Sequence, residues 1–417
     1  MGPVSAVADK GIANHHGSHR SLLWSPSADS SSVQRRIDAV IVPTSRRPAY
    51  LEEAAGLARK LDCALVTLHS GKWTSADKAV QRFGSDVNLI AIDVPEPDRL
   101  RLPYWQTSRM LAGTVFARRT DLSVKRNLAL MLSHMLGWER VLFLDDDITA
   151  VKPDDVRKAS GLLDTHSAVG FQIGGFPDHS VVCHAYRDAG GKQQSFIGGG
   201  ALAVELGRSK SFFPDIYNDD WFFLLDGDKR LRSSAMTGQV IQYPYDPFRS
   251  PDRARAEELG DVLAEGIFWL LDQDQLTAEA DRDHWARFLD KRGQFIQGVL
   301  EMVQVDNNLD LDEKARRIAA LKGSRGRLAL ITPELCEGYL QAWSADRQRW
   351  QRHLERLPTG QQLHEALGML SRRGCPPLRW RLGDGVRLRE QPVPISAHEP
   401  FISEPEAPRK AVGAGVL

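Results

Sequence analysis

Apolar and polar positions alternate along the chain in blocks that switch between two periods. Asp38 to Pro43, Cys63 to Leu68, Asn88 to Val94 and Val141 to Leu144 are short apolar runs of strand length. Between them, residues 50–61, a stretch beginning near Ser75, and 125–136 place apolar residues three and four apart, the spacing of one helical face. Strands that alternate with helices predict a doubly wound, mostly parallel sheet in an α/β fold. After the fourth strand the pattern changes. Residues 167–205 carry short apolar runs and two glycine clusters with little helical periodicity, which predicts mixed strands and loops shaping a pocket for a second substrate. From 251 to 375 the helical period dominates, over 253–274, 279–303 and 310–322, as a helical appendage. Residues 1–35 read as a flexible leader in which Leu22-Leu23-Trp24 can dock locally, 36–250 as the catalytic domain, and 376–417 as a proline-rich, partly disordered tail.

The fourth apolar run stops at Asp145-Asp146-Asp147. A buried strand delivers these acids to the sheet edge, where open α/β sheets bind ligands. Three adjacent carboxylates repel one another, a cost that a divalent cation shared with a phosphate would offset. In an extended chain Asp145 and Asp147 point the same way and Asp146 the other. Hard oxygen donors without a Cys or His cluster favour magnesium or manganese. An acidic loop entering a helix, with Asp154 and Asp155 after Pro153 in its first turn, is the plain structural alternative.

A second acidic centre, Asn218-Asp219-Asp220-Trp221-Phe222-Phe223, is embedded in aromatics. A carboxylate beside apolar rings is pushed up in pKa and becomes a usable general base, and Trp221 can stack on a sugar face. The same residues also suit a helix start capped by Asn218 or Asp219. Lys125 and Arg126, behind Ser123 as a helix cap, make an anion-binding corner or a charged surface turn. Arg46 and Arg47 follow the first strand, either as contacts to phosphate or base or as solvated loop residues. Gly198-Gly199-Gly200, between Phe196-Ile197 and Ala201, would admit close approach by a ligand, or mark a flexible stretch or a bulge. His134, His179 and His184 read as structural or loop histidines, and His284 reaches a metal only if the appendage folds over the site.

Composition narrows the classes. Lys and Arg total 54 against 54 Asp and Glu, so no bulk field attracts nucleic acid. The four cysteines are widely spaced without a Cys-x-x-Cys pair, which fits a reducing, cytoplasmic setting and argues against a cysteine zinc site. No run is long enough to cross a bilayer, and the first residues lack the apolar core of a signal peptide.

The two acidic centres together resemble those of nucleotide-sugar-dependent glycosyltransferases of the GT-A fold, family 2-like, over roughly residues 36–245. The resemblance implies that Asp145 and Asp146 hold the donor, with Asp145 nearer the ribose, and that Asp145 and Asp147 carry Mn2+ or Mg2+. It implies Asp220 as the base, with Asp219 beside it; Asn218 stands where that family often has Thr or Tyr. Pro43, Thr44 and Arg46 resemble the loop that holds the nucleotide, and Arg126, Gly199, Gly200 and Trp221 complete the donor side. The implied reaction moves a sugar from a nucleoside diphosphate sugar to a hydroxyl acceptor, with inversion if Asp220 is the base; the appendage offers a surface for a homo-oligomer. Three other readings stand beside it. Asp145-Asp146-Asp147-Ile148-Thr149 fits a haloacid-dehalogenase-like phosphatase with Asp145 as nucleophile and Asp226-Gly227-Asp228 as a later metal motif. The others are nucleotidyl transfer and non-catalytic nucleotide-sugar or carbohydrate binding.

Overall fold

The computed structural model describes residues 20–25, 33–176, 180–191, 197–227 and 229–384; His179, Phe196 and Asp228 lie outside them. Strand β1 (Ala39–Thr44), helix α1 (Glu52–Leu61), β2 (Ala64–His69), α2 (Ala76–Phe83) and β3 (Leu89–Asp93) follow the sequence pattern closely, and Ser75 caps α2 through its side chain. After α3 (Gln106–Leu111), helix α4 (Leu122–Leu136) leads into β4 (Arg140–Leu144) and the short β5 (Ile148–Thr149).

The next region is strand and helix: α5 (Pro153–Leu162), β6 (Ala168–Gly175), α6 (Val181–Asp188), β7 (Ala201–Glu205), α7 (Asp219–Leu224) and β8 (Ser234–Gln242). Helices α8 (Pro251–Leu271), α9 (Arg282–Val305), α10 (Leu311–Leu328), α11 (Pro333–Glu355) and α12 (Leu363–Met369) precede a last strand, β9 (Arg379–Leu382).

One nine-stranded sheet runs β5-β8-β6-β7-β4-β1-β2-β3-β9. The block β4-β1-β2-β3 is parallel. Antiparallel β7 and β9 flank it, so the sheet is mixed beyond that block. The tail and leader both contribute: β9 pairs with β3, and Trp24 docks on β8, its N–H donating to Ser234 O at 3.0 Å.

Alternation along the strands builds two cores. Val40, Val42, Leu65 and Leu142 face a layer made by α1, α2 and α5. Ala39, Ile41, Val66 and Phe143 face the opposite side, where α4 and the helices from α8 onward share a single apolar cluster. Trp285, Trp350 and Tyr339 of that cluster are fully buried, so the helical region adds its own core to the sheet face. Among the described residues no helix is long and apolar enough to cross a membrane.

Candidate active site

The carboxyl ends of the parallel strands β1 and β4 bring Arg46 and Asp145 to the lining of a cleft of about 1010 Å³. β4 stops at Leu144 and the chain turns at once, with Ile148 N–H donating to Asp145 O at 3.1 Å. That turn cancels the extended geometry expected of the three acids. Asp146 and Asp147 instead converge on one guanidinium: Arg46 Nη1 donates to Asp146 Oδ1 at 2.7 Å and Nη2 to Asp147 Oδ2 at 3.0 Å. Thr44, the last residue of β1, donates its hydroxyl to Asp146 Oδ2 at 2.5 Å. Burial pushes the Asp146 carboxyl up, and Thr44 and Arg46 oppose that push. Pro43 lies inside β1, paired with Leu68.

Asp145 faces the other way, toward Arg126. This guanidinium, 3% exposed, links the two acidic centres: Nη2 donates to Asp145 Oδ1 at 3.2 Å and Nη1 to Asp219 Oδ1 at 2.9 Å. Burial works against the Arg126 charge, yet Asp219, Asp145 and Asp220 together raise its pKa. Burial pushes Asp219 up to about 6 despite Arg126, and its Oδ2 has no hydrogen-bond partner.

Asp220 is half-buried and lines the cleft. It accepts from Gly199 N–H at 2.5 Å and from Trp221 N–H at 2.9 Å, so two backbone amides fix the carboxylate. Asn218 holds the N-cap position in a left-handed conformation (φ 60°), but its side chain donates to Asp261 at 3.0 Å and does not cap the helix. Trp221 packs on Phe268, with ring centroids 4.8 Å apart.

The glycines do permit a close approach, but the approaching groups belong to the protein. A Cβ at Gly199 would lie 2.8 Å from the Arg126 guanidinium, and one at Gly198 would lie 3.1 Å from Asp220 Oδ2. Gly200 is looser, at 3.5 Å from Asp145 Oδ2.

The helix carrying Arg126 begins earlier than its sequence suggests. α4 starts at Leu122, so Ser123 is inside the first turn, where its hydroxyl faces Asp215 at 3.4 Å and caps nothing. Lys125 is buried, bound to Thr44 O at 3.0 Å, Ser70 Oγ at 2.6 Å and Asp121 at 3.0 Å. It braces the β1 loop from below and is no surface cation. Arg47 lies over Trp73, 5.3 Å from its centroid.

Sequence reasoning missed the opposite wall. On α8, Arg253, Glu257, Asp261 and Glu265 follow one another at four-residue intervals and all line the cleft. Burial pushes Glu257 up to about 7 and Asp261 to about 6. Behind them Arg292 of α9, fully buried, donates to Glu258 at 2.9 Å and to Asp261 at 2.8 Å. The signal was present as charges at i, i+4, i+8 where an appended helix would bury apolar residues. Cys183 also lines the cleft, and burial pushes its thiol up to about 12, which keeps it protonated. His284 stays inside the helical layer, bonded to Gly266 O at 3.0 Å, so it does not reach the site. His184 bonds Tyr245 at 3.0 Å.

Among the described residues no three His, Cys, Asp or Glu side chains are grouped to hold a metal ion. Asp145 and Asp147 offer hard oxygens of the kind magnesium and manganese take, but they face apart, Asp145 on Arg126 and Asp147 on Arg46, so an ion shared by both would need one of those ion pairs to open. Arg46, whose side chain is 42% exposed, is the group that would give way.

Fold and site together define an α/β protein whose cleft, at the carboxyl ends of parallel strands, is walled by aspartates held on two arginines. No family model matches the chain, and none of the curated proteins does. Among solved structures, the mannosyltransferase PcManGT from Pyrobaculum calidifontis, in complex with GDP-Man and Mn2+, is 16% identical. The match covers 78% of this chain and 90% of that one at a TM-score of 0.39. A197 from STIV is 13% identical, with 52% and 92% covered at a TM-score of 0.27. Likeness this distant says nothing of activity.

Proposed function

We propose that the chain is a glycosyltransferase that moves a sugar from a nucleoside diphosphate sugar to a hydroxyl acceptor. The observation that carries this reading is Arg126, which ties Asp145 at the end of β4 to Asp219 at the start of α7. The bridge sets a donor-side carboxylate and the half-buried Asp220 on one cleft. Donor binding falls to Thr44, Arg46, Asp145, Asp146 and Asp147. A divalent ion on Asp145 and Asp147, when bound, supplies positive charge that neutralises the leaving diphosphate.

Asp220 is the better base of its pair. Asp219 is committed to Arg126 and positions it, whereas Asp220 faces the cleft with its carboxylate oriented by the Gly199 and Trp221 amides. The acceptor hydroxyl gives its proton to Asp220 as its oxygen bonds to the anomeric carbon, and the diphosphate oxygen leaves with the bonding electrons. Attack opposite the leaving group inverts the anomeric centre. The phosphatase reading is less well served, since Asp147, its acid, is paired with Arg46, and Thr149 donates its hydroxyl to Ile241 O at 3.1 Å.

Release of nucleoside diphosphate from a panel of nucleotide sugars and acceptors tests the assignment. Asp220→Asn should lower kcat by about 100-fold or more with nucleotide affinity unchanged. Full turnover in that variant would remove Asp220 from the role.

A further inference from the structure

The cleft is unevenly charged. In its buried part Arg126 and Arg253 are outnumbered by Asp145, Asp219, Asp220, Glu257, Asp261 and Glu265. Its rim is basic: Arg118, Arg119, Arg255 and Arg327 line it against a single rim carboxylate, Asp252.

These arginines come from three separated parts of the chain and are only partly satisfied by protein. Arg327 donates to Val115 O, a neutral carbonyl, and Arg118 donates to Ile216 O while also facing the half-buried Asp215. Arg255 pairs with Asp252 at 2.6 Å, an exposed contact worth little. Arg119 is exposed and has no ion pair among the described residues. Burial and the neighbouring Arg255 charge pull the Arg327 pKa down while Asp252 opposes them, so one exposed carboxylate serves two cations. The rim also holds the N-terminus of α8, a 21-residue helix whose dipole adds positive potential there. Repelling cations gathered at one mouth are relieved by an anion that several guanidiniums can share.

On the glycosyl-transfer reading the donor's phosphates would lie on the sheet wall at Arg46, apart from these arginines. We propose that the arginine rim is a second anion site, which binds a phosphate ester carried by the acceptor and so orients the acceptor hydroxyl toward the acidic interior. That the ester belongs to an acceptor rests on the glycosyl-transfer reading; that the rim binds a phosphate ester does not.

The test is calorimetric titration of the full chain, saturated with nucleoside diphosphate, with glycerol 1-phosphate and with glycerol, alongside sedimentation with phosphatidylcholine vesicles with and without phosphatidic acid. The ester, free or in the vesicle, should bind about tenfold or more tightly than its neutral counterpart, and the vesicle arm tells a lipid source from a soluble one. Arg255→Gln/Arg327→Gln should abolish that preference with an unchanged unfolding midpoint, and Arg255→Lys/Arg327→Lys should restore part of it. No preference for phosphate in either arm overturns the proposal. So does binding that nucleoside diphosphate blocks, since the rim would then be the donor's own site. Ester binding by a protein that binds no nucleotide would keep the rim site and sink the transfer reading.

Discussion

On the sheet side of the cleft, four aspartates, three from the turn after β4 and one from the start of α7, share two arginines, Arg46 at the solvent side and Arg126 beneath. On the helical wall, Glu257, Glu258 and Asp261 sit on α8 with Arg253 and the fully buried Arg292. Both walls bury charge, but differently. The arginine of the helical wall lies behind its acids, locking α8 to α9, whereas Arg126 lies between acids that both face the ligand space. A buried ion pair is weak evidence for stability in itself, yet breaking one is costly. The two walls therefore pose one physical problem with two uses, the first architectural and the second open to a substrate.

The largest effects should come from removing either central cation. Arg126→Met and Arg292→Met should each destabilise folding by about 3–5 kcal/mol in denaturant titration, because the first strands the buried Asp219 beside the half-buried Asp145 and the second strands the buried Glu258 and Asp261. If the walls differ as described, only Arg126→Met also weakens nucleotide binding beyond its effect on folding. Equal loss of binding in both would erase the distinction.

Next in size is a pH effect. Burial lifts Asp219 to about 6 in the folded chain, above its unfolded range. The neutral acid is favoured by folding, so the stabilisation is full below about pH 4 and is lost as pH rises through about 6, a change on the order of 2–3 kcal/mol. Asp219→Asn keeps an acceptor for Arg126 and should flatten that part of the stability profile; an unaltered slope would assign the titration to another group, such as Asp261. The smallest expected effect is at Gly199. Gly199→Ala drives a methyl against the Arg126 guanidinium and should cost about 1–3 kcal/mol. The same change at Gly200, where 3.5 Å is open, should be milder.

The contrast also explains what the sequence revealed. Strands β1 to β4 were legible because a parallel sheet buried on both faces demands continuous apolar runs, and the acids that end β4 break such a run visibly. The register of those acids was not legible, since it depends on a turn that begins at Asp145 and on Arg46 arriving from β1. Arg126 was visible only as a charge near a helix start; its burial follows from Asp145 and Asp219, 19 and 93 positions away. The helical wall was hidden more completely. Arg253, Glu257, Asp261 and Glu265 have the spacing of a solvated, salt-bridged helix face, and only the packing of α8 over the cleft turns that face inward. α6 escaped because glycine-rich flanks surround its single short amphipathic turn pattern.

The most direct test of the central claim is calorimetric titration of UDP, GDP and ADP with and without manganese, on the intact chain and on Asp147→Ala. One nucleotide should bind, manganese should strengthen its binding, and Asp147→Ala should remove the manganese effect. Absence of binding by all three nucleotides in the intact chain would contradict that claim.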